Sequence, residues 1–360
     1  MARALVAAGH AVRVVGVYPQ SYPASDYEED HGVRVWRIRE SPQRLGWLVA
    51  RHRLYRQVSH WARRREIELV EAPDSRGWFA GWPDIGVPLV QRANGSYTYF
   101  AFVLGRPLSR TTAGLERWSY QRADCWTAVS KYASEVTANV CRTRQGPRRI
   151  LYNPVEIPPS PPPFQCRNKN SVVFSGTLTE KKGVVSLIDA WIRVRETSDG
   201  ELHIYGKDSA TSGRLSMKGF LLSRLPSALH ASVSFHGHVT REELFNSLAT
   251  ARVAVFPSFA EAFALAPLEA MASACPVICS VCGAGPELLT DGVQGLLVDP
   301  AQPAKIAAAI SAVLRDDSLA LRLSVSGRAK VERDFALEKL LPSNESFFAE
   351  ATHCRRGAPC

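Results

Sequence analysis

The sequence predicts an α/β protein with parallel sheets. Short β-branched apolar runs such as Ala251–Phe256 and Pro276–Ser280 are typical of strands that are buried on both faces, and segments with helical period lie between such runs. The length of 360 residues suffices for two domains with a core each. The proline-dense segment PVEIPPSPPPF cannot form a core element, and it predicts a linker between these domains.

Composition and charge restrict the partners and the location. The net charge of +10 favours anionic partners such as nucleotides, phosphates or anionic lipid surfaces. No recognised nucleic-acid motif occurs, so we expect no nucleic-acid partner. No apolar run reaches about 18 residues, and His10 and Arg13 interrupt the apolar start, which argues against a spanning helix and a signal peptide. We therefore expect a cytoplasmic protein.

The eight cysteines have no framework of regular spacing. Cys279 and Cys282 form a lone CxxC at the end of a predicted buried strand, without a second CxxC elsewhere in the sequence. This pattern favours small buried residues in a reducing cytosol over a metal or redox site.

The chain opens with a helix before its first predicted strand, Ala11–Val17. In an α/β domain a strand normally precedes each crossover helix. We therefore expect that the first domain lacks its first strand and the turn after it, roughly 20 to 30 residues. The alternative is that the protein begins at Met1 and that its sheet is rearranged.

A long basic helix follows the next strand, Gly32–Ile38. Its apolar residues have helical spacing: Leu45, Leu48, Val49, Leu54, Tyr55, Val58 and Trp61. Its basic residues are Arg51, Arg53, Arg56, Arg63, Arg64 and Arg65. Such a helix either contacts an anionic membrane surface or packs on the sheet with a solvated outer face, and we favour the second interpretation.

The remaining elements continue the alternation of strands and helices. In the first half we expect strands at Glu68–Glu71 and Pro88–Gln91 and a helix over Leu115–Ala123. In the second half we expect strands at Val172–Ser175, Leu202–Tyr205 and Val233–Gly237, and helices from about Gly183 and over Glu242–Ala249, Pro303–Arg315 and Ser318–Asp334.

Two acidic residues stand out in the stretch FPSFAEAFALAPLEAMASACPVICSVC. Glu261 lies in a loop, and Glu269 is predicted in the first turn of a helix that starts at Pro267. A carboxylate there can accept a ligand's hydroxyl hydrogens, while free backbone N–H groups and the helix dipole attract an anion. A ligand in which a sugar is joined to a phosphate would suit the carboxylate and the helix N-terminus together. The alternative is that Glu269 caps the helix and Glu261 is solvated.

This stretch resembles the signature of retaining glycosyltransferases of family four, also called glycosyl transferases group 1, which have the GT-B fold. The residues that match the family pattern in order are Pro257, Ser258, Glu261, Phe263, Leu265, Leu268, Glu269, Ala270, Met271, Ala272, Pro276, Val277 and Ser280. Ala262, Ala264 and Ala274 stand where the family often has glycine. An added methyl group beside a backbone that approaches a ligand closely would weaken binding or tilt the loop.

The resemblance implies two doubly wound, Rossmann-like domains that face a cleft. The first domain would comprise residues 1–156. A Pro-rich linker, 157–170, would join it to the nucleotide-sugar domain, 171–335. A terminal helix, 336–353, would cross back to the first domain, with Ala336 in place of the usual Trp, and 354–360 would be a tail.

The resemblance also implies a donor site in the second domain. The residues that it assigns to donor binding are Gly176, Thr177, Lys182, Glu261, Phe263, Ala264, Leu265 and Glu269. Lys182 would stabilise the leaving diphosphate, Glu261 would bind donor-sugar hydroxyls, and Glu269 would bind the ribose; Lys182 and Glu261 count as the catalytic residues. Thr177 replaces an Arg that normally grips the diphosphate.

Asn94, Gly95 and Ser96 form the predicted acceptor side, where relatives carry His at or near Asn94. An amide cannot act as an acid or base near neutral pH, and the tripeptide also suits a simple turn. No Asp-x-Asp motif occurs, so we expect no metal and no cofactor.

The expected reaction is retaining transfer of a hexose-like sugar from a nucleotide diphosphate sugar to a hydroxyl, in a glycan or lipid-linked acceptor of polysaccharide or glycolipid assembly. The first alternative is a weak or inactive nucleotide-sugar-binding relative. A sugar-nucleotide epimerase or a phosphorylase fits less well, because epimerases lack this Glu pair and no context for a cofactor lysine is visible.

Overall fold

The computed structural model describes residues 1–143, 146, 149–159, 161–210 and 216–354. The described chain divides into two compact units. Unit 1 contains residues 1–129, 134–151 and 337 onward, and unit 2 contains residues 130–133 and 152–336. Apart from Cys354, the predicted tail lies outside the described residues.

The first 150 residues alternate between helices and strands. In chain order the elements are α1 (Ala2–Ala7), β1 (Arg13–Pro19), β2 (Tyr27–Asp30), β3 (Val33–Glu40), α2 (Gly46–Arg63), β4 (Val70–Pro73), β5 (Leu89–Ala93), α3 (Tyr97–Val103), α4 (Arg110–Arg122), β6 (Cys125–Ala128), α5 (Lys131–Cys141) and β7 (Arg149–Ile150). The strands form two sheets, in the orders β1-β3-β2 and β4-β5-β6-β7. All neighbours in them are parallel except β2 and β3.

The long basic helix α2 packs one face into the core of unit 1. Ala50, Leu54 and Val58 recur at intervals of four residues and are buried, as expected of a helix that lies on a sheet. Arg53 and Arg56 are exposed. In the described part of the chain, no helix is both long enough and apolar enough to cross a membrane.

Unit 2 is built on one six-stranded sheet. Its elements are β8 (Asn168–Ser175), α6 (Val184–Arg195), β9 (Glu201–Tyr205), α7 (Met217–Arg224), β10 (Val233–Gly237), α8 (Arg241–Thr250), β11 (Ala251–Phe256), α9 (Leu265–Ala272), β12 (Val277–Ser280), α10 (Gly285–Leu288), β13 (Leu296–Val298), α11 (Pro303–Arg315) and α12 (Asp317–Asp334). The order is β10-β9-β8-β11-β12-β13 with every pair parallel. This is the doubly wound dinucleotide-fold order, which reverses direction between β8 and β11.

The last helix, α13 (Leu337–Ala351), belongs to unit 1 although the preceding helix belongs to unit 2. Its Phe347 is fully buried and packs with Val90 of β5 and with Leu151. Its Asn344 accepts a hydrogen bond of 3.0 Å from the Arg92 guanidinium. An apolar face and one buried polar contact therefore attach α13 to unit 1.

The helix α9 starts earlier than its sequence suggests. It begins at Leu265, so Pro267 is its third residue and Glu269 its fifth. The prediction that Glu269 lies in the first turn is therefore wrong. Proline is tolerated throughout the first turn, because the first four N–H groups of a helix have no partner within it.

Ala274, just after α9, has a left-handed backbone with φ of 53°. Alanine is strained in this conformation, whereas glycine is not. We expect Ala274→Gly to raise the free energy of unfolding by about 0.5–1 kcal/mol, because relief of strain exceeds the added flexibility of the unfolded chain.

Urea unfolding of the wild-type and variant proteins would measure this difference. The matched control is Ala272→Gly in the last helical position of α9, which should lower stability by about 1 kcal/mol because its backbone is helical. Destabilisation by Ala274→Gly would contradict the argument from strain.

Candidate active site

A pocket lies in unit 2 where the strand order reverses. It is lined by residues at or just after the carboxyl ends of three strands: Ser175, Phe256, Ser258, Cys279 and Ser280. Its empty space, including the open mouth, is about 380 Å³. Open parallel sheets bind their ligands at this kind of crevice. Lys182 and Glu261 complete its polar lining.

The turn that carries Lys182 is pressed against the loop after β11. Gly183 has φ of 70°, and a Cβ there would lie 1.8 Å from the carbonyl oxygen of Pro257. The Phe259 N–H donates to the Lys181 carbonyl over 2.8 Å. Only glycine allows this approach, so the turn after β8 and the loop after β11 share one backbone contact.

Lys182 and Glu261 form an ion pair inside the pocket. The Lys182 Nζ lies 2.5 Å from Glu261 Oε1. The side chains are only 27% and 13% exposed, so solvent screens their attraction less than it would on an open surface. The structure thus brings together the two predicted catalytic residues, which are 79 positions apart.

The Glu261 loop is held in place by contacts that other segments make with its backbone. The Ser130 hydroxyl donates to the Ala262 carbonyl over 2.6 Å. A Cβ on Gly283 would lie 2.4 Å from the Glu261 carbonyl oxygen. Phe263 is buried and stacks on Tyr152 with ring centroids 5.5 Å apart. The Phe263 ring therefore packs in the core, and only its backbone is open to a role in donor binding.

Glu269 lies outside the described lining of this pocket. Its side chain is 24% exposed, and the Arg241 guanidinium approaches its Oε1 to 3.7 Å. Burial raises the pKa of Glu269, and the Arg241 charge opposes that rise. Arg241 also binds Glu156 over 2.6 Å. The guanidinium thus links two carboxylates beside the pocket.

The other predicted donor residues differ in position. Ala264 lines the pocket, whereas Thr177 and Leu265 are exposed and do not contribute to its described lining. Gly176 is close to Gly206, where a Cβ would meet the Gly176 carbonyl oxygen at 1.9 Å. Gly206 therefore permits close packing of the turns after β8 and β9, against the backbone of Gly176.

Sequence reasoning missed Ser175 and Arg241. Ser175 is 7% exposed, lines the pocket, and its Oγ has no hydrogen-bond partner among the described residues, so a ligand atom could satisfy it. Arg241 is the first residue of α8, where a positive charge opposes the helix dipole. That unfavourable placement was the available signal for Arg241. Ser175 gave none, because burial of one hydroxyl depends on the assembled sheet.

The two cysteines of the CxxC also line this pocket. Both are free thiols, and burial raises the pKa of Cys279 to about 12. Cys279 is thus a neutral packing residue at neutral pH. Among the residues described, no group of three or more His, Cys, Asp and Glu side chains could hold a metal ion.

In unit 1, one buried carboxylate organises the predicted acceptor loop. Glu116 of α4 is fully buried and accepts the N–H groups of Arg76, Tyr97 and Thr98 at 2.9–3.1 Å. These donors come from the loop after β4 and from the first turn of α3, which follows β5. Sequence analysis missed Glu116, since a single Glu in a helix ordinarily faces solvent.

The acceptor-side prediction needs a correction at Ser96. Ser96 is fully buried, and its hydroxyl accepts the Tyr99 N–H as the N-cap of α3. Its hydroxyl therefore serves the fold rather than an acceptor. Asn94 is exposed, and Gly95 has φ of 96°, which a turn of left-handed backbone requires.

Two family models match the chain. The model described as Glycosyltransferase Family 4 covers residues 1–157, and the model described as Glycosyl transferases group 1 covers residues 169–316. Glycogen synthase of Mycobacterium tuberculosis is 26% identical over 384 residues, 99% of this chain and 90% of that protein. The chain belongs to glycosyltransferase family 4. The predicted family is thus confirmed.

Solved structures show the fold of this family 4 glycosyltransferase. Sucrose-phosphate synthase from Thermosynechococcus elongatus matches with a TM-score of 0.79 and 21% identity, over 97% of this chain and 91% of that one. HepE from Anabaena, solved with UDP and glucose, matches with a TM-score of 0.74 and 17% identity, over 94% and 100% of the two chains. The predicted GT-B fold, with two Rossmann-like parallel-sheet units, is confirmed.

Asp74 provides a pH test of the loops after β4 and β5. Its buried carboxylate accepts the Asn94 N–H over 3.0 Å, and burial raises its pKa to about 7. The folded protein therefore binds this proton more tightly than the unfolded chain. The contribution of this proton to the free energy of unfolding is complete below the pKa of about 3.9 in the unfolded chain. It is lost as the pH rises through the folded-state pKa of about 7.

We expect Asp74→Asn to flatten the decline in stability between about pH 4 and 7, because the amide keeps the acceptor oxygen without a charge. At about pH 8 the variant should be more stable than the wild type by at least about 1 kcal/mol. Urea unfolding at several pH values would test this, with exposed Asp84→Asn as the control. Identical pH profiles for wild type and Asp74→Asn would contradict it.

Proposed function

We propose that this protein is a retaining glycosyltransferase that moves a hexose-like sugar from a nucleotide diphosphate sugar to an acceptor hydroxyl. The observation that carries the proposal is the Lys182–Glu261 pair in the pocket where the strand order of unit 2 reverses. The Anabaena relative HepE was solved with UDP-glucose and with UDP and glucose, which supports a donor of that class.

In this proposal Lys182 is the charge that meets the leaving diphosphate. The bond between the sugar's anomeric carbon and the phosphate oxygen breaks, and the acceptor oxygen bonds to the same carbon. The acceptor proton passes to the leaving phosphate, so no dedicated base is needed. A fixed ammonium in a partly dry pocket stabilises the negative charge that develops on the diphosphate.

Glu261 would act on the sugar end of the donor. Its carboxylate lies 2.5 Å from the Lys182 ammonium, which positions that charge in the pocket. Donor hydroxyls would then hydrogen-bond to the Glu261 carboxylate while the diphosphate competes for the ammonium. Glu269 would bind the ribose hydroxyls, with Arg241 keeping its carboxylate in place.

We expect Lys182→Ala to reduce sugar transfer by about 10²–10³-fold, because one preorganised charge is lost where negative charge develops. UDP release and glycoside formation from a panel of nucleotide sugars would measure this. Lys181→Ala, on the same turn but outside the described pocket lining, is the matched control and should retain most activity.

Transfer by Lys182→Ala at the wild-type rate would remove Lys182 from the mechanism. The rival interpretation is an inactive nucleotide-sugar-binding relative, to which the replacements Thr177 and Asn94 point. It predicts that calorimetry detects UDP binding to the wild type while none of the nucleotide sugars is consumed.

We also propose, against the interpretation that the sequence favours, that the outer face of α2 makes a peripheral contact with an anionic membrane. Leu45, Leu48 and Val49, at the start of the helix, are 60%, 45% and 49% exposed. Arg53 and Arg56 are exposed along the same helix. Apolar side chains beside a basic surface suit the interface between headgroups and acyl chains.

The wild type should sediment with phosphatidylglycerol vesicles and not with phosphatidylcholine vesicles, and Leu48→Glu/Val49→Glu should reduce sedimentation at least about 10-fold. Leu321→Glu/Val325→Glu, which changes two exposed apolar residues of α12 in unit 2, is the matched control. Equal sedimentation of all three proteins would assign the outer face of α2 to solvent.

A further inference from the structure

A second large pocket lies within unit 1. Its empty space, including the mouth, is about 1120 Å³. The main apolar lining residues are Val17, Trp47, Trp78, Tyr97, Leu108 and Leu115. Val17 is near the end of β1, and Trp78 and Tyr97 follow β4 and β5, so the pocket lies at the carboxyl ends of unit 1 strands.

Two of its aromatic side chains are open to solvent. Trp47 is 38% exposed and Tyr97 is 51% exposed, whereas Trp61, Phe79 and Tyr99 of unit 1 are buried. Covering apolar surface releases about 25 cal/mol per Å². An apolar ligand group that covered both rings would therefore bind favourably, whereas a fully hydroxylated ligand would lose hydrogen bonds to water there.

The loop that carries Trp78 is held in place by hydrogen bonds and by a close backbone contact. The Arg51 guanidinium donates to the carbonyls of Arg76, Gly77 and Ala80 at 2.7–3.2 Å, which pins the loop that carries Trp78. Gly77 has φ of 59°, and a Cβ there would lie 2.3 Å from the Leu115 carbonyl oxygen. A pocket with fixed loops loses little conformational entropy when it binds a ligand.

The buried carboxylate of Glu116 fixes two sides of this pocket. Glu116 accepts the N–H groups of Arg76 and Tyr97, so the two loops that line it are set by one side chain. Arg76 has a left-handed φ of 65°, and such strained non-glycine residues cluster at ligand sites.

Polar groups occupy a limited part of the lining. The Arg76 Nη1 lies 3.6 Å from the Glu40 Oε2, and both side chains line the pocket. A carboxylate and a guanidinium can together bind hydroxyl groups as acceptor and donor. The pocket thus offers a polar pair for a sugar or an alcohol, and aromatic walls for an attached apolar group.

We propose that this pocket binds the apolar part of an amphipathic acceptor, a hydroxyl-bearing head group joined to an alkyl or polyprenyl chain. The inference rests on the proposed glycosyltransferase function and specifies its acceptor class. It sets this chain apart from relatives whose names denote a glycan product or a sugar phosphate product, such as glycogen synthase and sucrose-phosphate synthase. An acceptor of that kind would cover the rings of Trp47 and Tyr97 only with the C–H faces of its sugars, whereas an alkyl chain covers them without turning a hydroxyl group toward them.

Calorimetric titration with octyl glucoside, below its micellar concentration, and with methyl glucoside tests the proposal without any turnover. Octyl glucoside should bind at least about 10-fold more tightly, since each buried CH₂ contributes up to about 0.8 kcal/mol. Trp47→Ala and Tyr97→Ala should each weaken octyl glucoside binding several-fold. Both residues are substantially exposed, so truncation leaves the core intact.

The matched control is Trp118→Ala, a 52% exposed tryptophan of unit 1 outside the described lining of this pocket. It should leave octyl glucoside binding unchanged, and UDP binding should stay unchanged in all three variants. Equal affinity for the two glucosides would overturn the proposal. An equal loss in Trp118→Ala would also overturn it, because binding would then be unspecific adsorption of a detergent.

Transfer assays separate this proposal from the proposed function. If a nucleotide sugar is consumed equally with both glucosides as acceptors, the acceptor class is wrong and the transferase function stands. If octyl glucoside binds as expected but no nucleotide sugar is consumed, the transferase function fails and the apolar pocket stands.

Discussion

The candidate active site depends on one ion pair that joins two loops from either side of the strand-order reversal. Lys182 follows β8 and Glu261 follows β11, and these two strands are neighbours in the sheet although 75 residues of sequence lie between Ser175 and Ala251. Their charges meet at 2.5 Å in a pocket from which much of the water is excluded. Removal of either partner leaves a partly buried charge without its partner, so binding chemistry and local stability are linked here.

The two units use buried acidic groups in different ways. In unit 2, Glu261 faces the pocket and is paired with a lysine that a ligand can engage. In unit 1, Glu116 is enclosed and all its observed partners are donors of the surrounding loops and α3. A buried carboxylate that accepts several N–H groups rigidifies its neighbours. Unit 1 thus presents a pocket whose surrounding loops are held by a carboxylate that lies outside the described lining of that pocket.

Much of the fold was predictable because its elements carry local signals. The strand Ala251–Phe256 is a β-branched run with no polar interruption apart from Arg252, and α2 repeats its apolar residues with helical period. The signature around Glu261 and Glu269 predicted the family. The start of α9 was misjudged by two residues, because proline is compatible with any position of the first turn. Because α9 starts at Leu265, Glu269 lies in its second turn, where the Arg241 guanidinium approaches it to 3.7 Å.

The sequence by itself determined the alternation of strands and helices and the family, and it predicted the residues of the candidate active site, since each is written in periodicity or in a contiguous motif. Only the tertiary structure decided which of those residues share a pocket. It paired Lys182 with Glu261, placed Thr177 and Leu265 outside, buried Ser96, and exposed Trp47 and Tyr97 around a second pocket. The physical reason is that burial and distance are properties of the packed sheet and its loops, and no local pattern of side chains encodes them.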